Sequence, residues 1–339
     1  MISVIIPCYN AQRTLAATIE SALNQNVDKE VIVIDNGSTD GSAEIIREFG
    51  DRIRLLSMMP NRGVSSARDS GTKLARGQYI QYLDSDDLLT PATLGARLEA
   101  IGTSGADIAY TDWQKLECGS DGTYILTKIM RPDLAAIERD AEVATATSEF
   151  WAPPAALLYR REIVERIGSW PVGLPVIQDA RYLFEAARRK ARFVYVTGVG
   201  AYYRVSPNSW SQRNRSWFIA DCARNASEIE TIWREHGCLA LSRVNALTRM
   251  WAHVATAALL NGLDEFEEAR VRYNCVAARR SLFEAGRLLR RMVGAHAAAS
   301  VLQVGLQSKR ILRRWIEGDV RLGCRSAADR SAARTTRQC

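Results

Sequence analysis

Residues 77–87 read GQYIQYLDSDD, an apolar run typical of a β-strand that ends in three carboxylates within four residues. Carboxylates placed so close together repel one another, and the segment therefore needs an explanation. One interpretation is a solvated turn, because Asp and Ser are common turn residues. The other is that a divalent cation with bound phosphates supplies the missing positive charge. The tetrapeptide DSDD alone does not decide between these two interpretations.

The segments on either side of this strand alternate between strand-like and helix-like patterns. Predicted strands begin at residues 2, 30, 53, 79 and 106, and predicted helices begin at 11, 42, 64 and 91. This alternation predicts βαβ units, and the nearly continuous apolar strands favour a sheet that is covered on both faces. We therefore predict an α/β, Rossmann-like fold with a mostly parallel sheet and helices on both faces.

Polar clusters follow four of these strands. They are PCYN after the first strand, DNGSTDGS after the second, NRG after the third and DSDD after the fourth. In open α/β sheets, ligands bind beyond the carboxyl ends of the strands. Four polar loops at one edge predict a single site, which favours a functional role for Asp84 and Asp86.

The C-terminal third of the chain has a different character. Helical patterns cover 216–236, 239–261, 264–291 and 294–316, and the segment 318–339 is rich in Arg, Ala, Ser and Thr. We predict a domain over 1–210, a helical extension over 211–317 and a disordered basic tail over 318–339.

The net charge of +7 is distributed unevenly along the chain. Residues 270–339 contain 16 Lys and Arg against 4 Asp and Glu, which is a net charge of +12 and leaves −5 for residues 1–269. In 279–318, Leu, Phe, Ile and Trp alternate with Arg, which predicts a peripheral contact with an anionic membrane surface. An ordinary helical bundle or a dimer interface is the alternative. No recognition motif for nucleic acid accompanies these basic residues, so a nucleic-acid partner is not expected.

The start of the chain and its cysteines bear on location. MISVIIPCYN has no basic region followed by a small-residue cleavage site, and we expect no secretory signal there. The seven cysteines form no CxxC pair, which indicates free thiols in a reducing compartment. We therefore expect a cytoplasmic protein, located peripherally at the inner face of the membrane if 279–318 binds lipid.

Five segments, taken in order, resemble those of glycosyltransferase family 2, whose members have the GT-A fold. The segments are SVIIPCYN (3–10), VIVIDNGSTDGS (31–42), NRGVSSARDSG (61–71), GQYIQYLDSDD (77–87) and QDARYLFEAARRKARFVYV (178–196). Each motif alone is weak, but the five in order are specific. The resemblance covers 1–210 and implies a nucleotide-sugar half over 1–115 and an acceptor half over 116–210.

The resemblance implies a nucleotide site at the strand ends. Pro7 and Tyr9 would hold the nucleobase, and Asp35 would accept from a ring N–H, which suits uracil. Arg62 would approach the nucleotide, and Arg68 would either reach the nucleotide or brace the acidic loop. For Tyr9, Asp35 and Arg68 the alternatives are a rim aromatic, an Asx-turn residue and a surface arginine. The chain departs from the family at Asn36 and Asp69, where an Asp and an Asn are usual.

The acidic loop matches the DxD motif of the family. Asp84 would contact the ribose or a metal-bound water, Ser85 would contact the nucleotide, and Asp86 would bind the metal directly. Hard oxygen ligands of this kind suit Mn²⁺ or Mg²⁺ held together with a diphosphate.

Asp179 matches the general base of the family. It would deprotonate the acceptor hydroxyl during a single displacement that inverts the anomeric configuration. The alternative is an N-cap of the helix over 179–191, and a helix N-terminus would tend to lower its pKa. Trp151, Gln178 and Arg181 would line the acceptor side, with Trp151 as a sugar-stacking ring or a buried core residue.

The resulting prediction is an inverting, metal-dependent glycosyltransferase. It would take a sugar from a nucleotide-sugar, in our interpretation a UDP-sugar, to a glycan or lipid-linked acceptor in polysaccharide or cell-surface glycan synthesis. The alternative is a nucleotidyltransferase acting on sugar phosphates. PCYNAQ lacks the Gly-rich phosphate loop usual in that class, which argues against it.

Overall fold

The architecture is built on one β-sheet of nine strands. The structure is a computed structural model that describes residues 1–119, 123–205, 214–237 and 239–278. Its strands are β1 (Ile2–Cys8), β2 (Lys29–Asp35), β3 (Arg54–Ser57), β4 (Tyr79–Tyr82), β5 (Leu88–Leu89), β6 (Ile108–Cys118), β7 (Tyr124–Met130), β8 (Leu157–Arg160) and β9 (Phe193–Val205). They are ordered β3–β2–β1–β4–β8–β6–β9–β5, and β7 pairs with β6 outside this path.

The sheet is parallel in its N-terminal half and mixed beyond it. Strands β3, β2, β1 and β4 are parallel neighbours, and β6 and β9 are parallel as well. Strand β8 lies antiparallel between β4 and β6, and β5 and β7 are also antiparallel to their partners. The predicted α/β class is confirmed, while the share of parallel pairing is smaller than the N-terminal rhythm alone indicated.

Nine α-helices have both ends inside the described ranges. They are α1 (Leu15–Leu23), α2 (Ser42–Glu48), α3 (Val64–Leu74), α4 (Thr93–Ser104), α5 (Leu134–Ala146), α6 (Arg161–Ile167), α7 (Gln178–Arg188), α8 (Arg215–Glu235) and α9 (Leu241–Leu260). The apolar spacing of α1 places Leu15 and Ile19 on its buried face, as helical periodicity requires. Strand β1 is buried along its whole length, because it is a central strand of the sheet and helices, including α1 and α3, pack against it.

A buried arginine joins the two halves of the sheet. Arg97 of α4 donates to Gln81 Oε1 of β4 at 2.9 Å and to Thr111 Oγ1 of β6 at 2.8 Å. It has no carboxylate partner among these hydrogen bonds, and burial lowers its pKa to about 9. The sequence of α4 gave no sign that this cation would be buried.

Helices α8 and α9 pack onto the sheet domain around a buried carboxylate. Glu142 of α5 accepts from Trp233 Nε1 of α8 at 3.1 Å, from Arg243 Nη2 of α9 at 2.9 Å and from Lys190 Nζ at 3.0 Å. The compact unit that contains the sheet accordingly spans Met1–Asn274. It runs past the boundary predicted at 210, and the division predicted at 115 falls inside β6.

The second unit covers Cys275–Cys339, of which only 275–278 are described. The segment 279–318, for which we predicted membrane contact, and the tail 318–339 lie outside the described residues. Among the described residues, no helix combines the length and the apolar character that crossing a bilayer requires.

We expect Glu142→Ala to lower the free energy of unfolding by about 3 kcal/mol, because removing one partner of a buried ion pair leaves the others without compensation. Urea unfolding followed by circular dichroism measures this change. The matched control is Glu138→Ala, an exposed position on the same helix, which should change stability by less than about 0.5 kcal/mol. Equal effects at the two positions would contradict the role given to Glu142.

Candidate active site

The carboxyl ends of β1, β2 and β4 meet at one edge of the sheet. Cys8 at the end of β1 pairs in register with Asp35 at the end of β2, and Ile5 pairs with Tyr82 of β4. The loops that follow are joined directly, since Asn10 Oδ1 accepts from Thr39 N at 2.7 Å and Ser38 Oγ accepts from Asn10 N at 3.1 Å. The polar clusters predicted to share a site are therefore neighbours.

The residues assigned to the nucleobase surround the first two strand ends. Pro7 is buried at the end of β1, whereas the ring of Tyr9 is 49% exposed. Asp35 is buried, and its Oδ1 accepts from Ser38 N at 3.0 Å. This bond ties the carboxylate to its own loop, although it reaches the residue three positions on and not the residue two positions on that an Asx-turn uses. It is compatible with a ligand contact, because a carboxylate has about four lone-pair sites.

Asn36, where the family usually has Asp, holds the loop over 61–63. Its Nδ2 donates to Asn61 Oδ1 at 2.9 Å and to Gly63 O at 3.1 Å, while its Oδ1 accepts from Arg62 N at 3.0 Å. A carboxylate could not make the two donations, so the amide matches its partners. The side chain of Arg62 is exposed, and Gly63 begins α3 with φ of 82°.

Arg68 lies buried beneath the acidic loop. Its Nη2 forms an ion pair with Asp84 Oδ1, and its guanidinium carbon lies 4.3 Å from the centroid of the Trp170 ring. Trp170 is stacked on Tyr182 at 3.9 Å, and its backbone N–H donates to Asp69 Oδ1 at 2.9 Å. The surface interpretation of Arg68 is therefore wrong. Its Nε and Nη1 are buried and have no hydrogen-bond partner among the described residues.

The loop Asp84–Asp87 is held from two sides. The carbonyl oxygen of Ser85 accepts from the hydroxyl groups of Thr14, the N-cap of α1, at 2.9 Å and of Thr18 on α1 at 3.0 Å. Asp87 is buried, and its Oδ1 accepts from Arg204 N of β9 at 2.9 Å. The segment is a turn, because Asp87 N donates to Asp84 O at 3.0 Å, and its other contacts show that this turn is anchored to the fold and not merely solvated.

The carboxylates of this loop repel one another electrostatically. Desolvation, followed by repulsion from Asp84, raises the pKa of Asp86 to about 6. The side chain of Asp86 is exposed to solvent, so a ligand can reach it. Burial and the charges of Asp86 and Asp84 also raise the pKa of Asp87 well above its usual range. The site therefore has an excess of negative charge.

A divalent cation fits this loop, although the protein alone would not complete its coordination. No group of three or more His, Cys, Asp or Glu side chains in the described ranges is arranged to hold a metal ion. Asp86 is nevertheless open to solvent, and Asp87 Oδ2 is buried without a hydrogen-bond partner in the part of the chain that the structure describes. Mg²⁺ is commonly bound by one or two carboxylates together with phosphate oxygens, which is the arrangement that these side chains permit.

Asp179 lies in the first turn of α7 and faces the same cluster. Its Oδ1 accepts from Ala180 N at 2.8 Å, and its Oδ2 accepts from Trp151 Nε1 at 3.0 Å. The N-cap of α7 is Ile177, so the N-cap interpretation of Asp179 is wrong. Desolvation raises its pKa, with Arg68 opposing and Asp84 adding to the shift. The lowering expected from a helix N-terminus is outweighed by this burial.

The three residues assigned to the acceptor side have different surroundings. Trp151 contacts Asp179, and Gln178 is buried with its Oε1 unpartnered beside Asp179 in the chain. Arg181 is directed elsewhere, because its guanidinium pairs with Glu228 at 2.7 Å and Glu185 at 3.2 Å. The assignment of Arg181 to the acceptor side is thus a misassignment, and its role is to attach α7 to α8.

Sequence reasoning missed several contributors to the site. Trp113 of β6 and Tyr203 of β9 lie edge to face against Trp151, at 5.4 Å and 6.0 Å between ring centroids. Desolvation, followed by the charges of four nearby Asp side chains, raises the pKa of Tyr203. Thr18 was also missed. A buried hydroxyl on the apolar face of a helix was the available signal for it.

Comparison with known sequences identifies relatives over the same region. Residues 3–168 match the profile of the family described as Glycosyl transferase family 2. The chain is 29% identical over 228 residues to the uncharacterized glycosyltransferase EpsJ of Bacillus subtilis, covering 62% of this chain and 63% of that protein. It is 38% identical over 110 residues to the succinoglycan biosynthesis protein ExoO of Rhizobium meliloti, covering 32% of each. The chain thus spans less than two thirds of the length of both relatives.

Solved structures share the fold at lower identity. S. aureus TarS 1–349 in complex with UDP-GlcNAc matches with a TM-score of 0.55 and 17% identity, over 85% of this chain and 91% of that one. The mannosyltransferase PcManGT from Pyrobaculum calidifontis, in complex with GDP-Man and Mn²⁺, matches with a TM-score of 0.53 and 19% identity, over 91% of this chain and 80% of that one. These likenesses support the GT-A fold. Given the family match, the fold and the five motifs in order, residues 3–168 form a glycosyltransferase family 2 domain.

Proposed function

We propose that this chain transfers a sugar from a nucleotide-sugar to an acceptor hydroxyl with inversion at the anomeric carbon. The observation that carries this proposal is the common environment of Asp84 and Asp179. Arg68 pairs with Asp84 and also attracts the carboxylate of Asp179, although the two acids come from β4 and α7. A donor held at the acidic loop would therefore lie close to the base.

The donor that we propose is a UDP-sugar. Tyr9 offers a half-exposed ring at the end of β1, and Asp35 offers a carboxylate that can accept from the ring N–H of uracil. TarS has been solved with UDP-GlcNAc and PcManGT with GDP-Man, so a GDP-sugar is the other donor to test. The unpartnered Nε and Nη1 of Arg68 are donors suited to the phosphates or the sugar.

We propose that Asp86, with Asp84 and Asp87 nearby, holds Mn²⁺ or Mg²⁺. Such a cation, when bound, neutralises the charge that develops on the leaving nucleoside diphosphate. The excess negative charge of the loop supports this assignment, as does the Mn²⁺ in PcManGT.

In the proposed reaction, Asp179 accepts the proton of the acceptor hydroxyl while that oxygen attacks the anomeric carbon. The attack comes from the face opposite the leaving diphosphate, so an α-linked donor gives a β-linked product. Arg68 keeps Asp84 oriented toward the donor, and the threonine hydroxyls of α1 hold the loop in place. These contacts preorganise the site before the substrate arrives.

For the acceptor, we propose a growing polysaccharide or cell-surface glycan, including lipid-linked forms. The support is the similarity to ExoO, which is named for succinoglycan biosynthesis. A cytoplasmic location, peripheral to the membrane, is part of this proposal. Its test is lipid pelleting with and without residues 279–339.

The experiment that tests the function measures nucleotide release from a panel of UDP-, GDP- and dTDP-sugars, with and without Mn²⁺. We expect Mn²⁺-dependent release of UDP from one donor, which would also identify the sugar. Release of pyrophosphate would instead support the nucleotidyltransferase. If no donor reacts and calorimetry detects no UDP binding in the presence of Mn²⁺, the proposed function is wrong.

The pH dependence of the reaction follows from the burial of Asp179. Its pKa is raised, and only the ionised carboxylate accepts a proton, so kcat/KM should fall as the pH drops through this raised value. We expect the acid limb above the ordinary Asp value of about 3.9. Rates between pH 4 and 8, after a check that the protein recovers from each pH, measure it. A limb at or below the ordinary value would show that Asp179 is not the group titrating.

A further inference from the structure

The indole of Trp151 occupies a defined position beside the proposed base. Its Nε1 donates to Asp179 Oδ2 at 3.0 Å. The other carboxylate oxygen, Oδ1, accepts from the backbone N–H of Ala180 at 2.8 Å. Both oxygens of Asp179 are therefore oriented, one by its own helix and one by Trp151.

The ring of Trp151 is itself held by two aromatic neighbours. It lies edge to face against Trp113 at 5.4 Å and 86°, and against Tyr203 at 6.0 Å and 88°. Trp113 and Tyr203 also contact each other at 5.4 Å, which closes the cluster. Since the neighbours come from β6 and β9, the position of the indole is determined by the sheet.

The backbone on both sides of Trp151 is anchored as well. Phe150 is fully buried, and its N–H donates to Ala144 O at 3.0 Å at the end of α5. On the other side, Pro154 O accepts from Gln81 Nε2 at 3.0 Å and Ala155 O accepts from Arg97 Nη1 at 2.8 Å. The indole N–H is thus presented from a rigid segment, as a precise hydrogen bond to a catalytic group requires.

We infer that Trp151 is the positioning residue of the base and not a free platform for sugar stacking. Its N–H holds Oδ2 of Asp179, so that the remaining lone pairs of the carboxylate point toward the acceptor hydroxyl. No bond to substrate is assigned to the indole. This inference rests on the proposed function, because it takes Asp179 as the base of the transfer.

The decisive variant replaces Trp151 with 3-benzothienylalanine, a tryptophan isostere in which sulfur takes the place of the ring N–H. The loss of a hydrogen bond to a charged group should lower kcat by about 10- to 100-fold. KM for the donor should stay within about twofold, since nothing in donor binding changes. The acid limb of the pH profile should move upward, because a donor to the carboxylate is lost.

Trp151→Phe is the simpler variant, and Trp251→Phe is its matched control. Trp251 of α9 also donates its indole N–H to a carboxylate, Glu230 Oε2 at 3.1 Å, but outside the proposed site. The control should keep kcat within about threefold with an unmoved acid limb, since it removes an indole N–H that does not reach Asp179. In an Asp179→Asn background, the loss of the Trp151 N–H should have no further effect, because residues acting as one unit are not additive.

Two results would overturn the inference. One is an isostere that keeps kcat within about twofold and leaves the acid limb in place. The other is an isostere that raises KM for the acceptor and leaves kcat unchanged, which would show that Trp151 binds the acceptor by stacking on a sugar. If the wild type releases no nucleotide at all, the proposed function fails separately. The titration of Asp179, followed by ¹³C NMR of labelled carboxyls, then still reports whether the isostere shifts it.

Discussion

Asp179→Asn should lower kcat by about a thousandfold, since general bases contribute roughly 10²- to 10⁴-fold to enzymatic rates. The side chain keeps its shape but loses the ability to accept a proton. Binding of UDP should not change, because Asp179 lies on α7 and not among the loops at the ends of β1, β2 and β4. Nucleotide release and calorimetry with UDP and Mn²⁺ measure the two quantities separately.

The variant should fold at least as well as the wild type. Burial disfavours the charged form of Asp179, and an amide removes that penalty while its Oδ1 can still accept from Trp151. A suitable control is Asp133→Asn, at the N-cap of α5, where the carboxylate accepts from Ala136 N at 3.1 Å. Asn caps a helix about as well as Asp, so the control should keep the stability and the rate of the wild type. A variant with a normal rate would show that another group is the base.

Asp86→Ala should abolish the dependence of nucleotide binding on Mn²⁺ and reduce transfer by about a thousandfold. The estimate follows from the several kcal/mol that a Lewis-acid metal supplies, at about 1.36 kcal/mol for each tenfold in rate. Calorimetric titration with UDP, once in the presence of Mn²⁺ and once in the presence of EDTA, measures how the affinity for UDP depends on the metal. In the wild type Mn²⁺ should tighten binding, whereas in the variant both titrations should coincide.

The metal-free variant should be no less stable than the metal-free wild type. Asp86 is one of three mutually repelling acids, and its removal relieves Asp84 and Asp87. The exposed Asp51→Ala, in the turn before β3, is the control for the loss of a negative charge. If Asp86→Ala still binds UDP more tightly with Mn²⁺, the metal is held elsewhere.

Local patterns were sufficient for the N-terminal half of the fold. Apolar runs and apolar residues at helical spacing predicted β1 to β4 and α1 to α3 near their observed positions. Such predictions succeed because the side-chain periods of 2 residues in strands and 3.6 in helices depend only on residues that are close in sequence. Polar residues at the strand ends then located the site, since parallel strands bring their carboxyl ends to one edge. The motifs, taken in order, led to the family.

The C-terminal half was harder to predict because its pairing is nonlocal. No predicted helix covers α5, and non-helical φ and ψ angles at Asp140 interrupt it. Strand β8 lies between β4 and β6, which are far from it in sequence, and runs antiparallel to both. The sequence of a four-residue strand does not predict which strands it pairs with or whether the pairing is parallel or antiparallel.

The sequence by itself determined the α/β class, the family and the set of acids that would form the site. Only the tertiary structure decided which side chain each polar group meets. It placed Arg68 under Asp84, turned Arg181 toward α8 and directed the indole N–H of Trp151 to Asp179. The physical reason is that secondary structure follows from neighbouring residues, whereas burial and charge pairing depend on packing between segments that are distant in the chain.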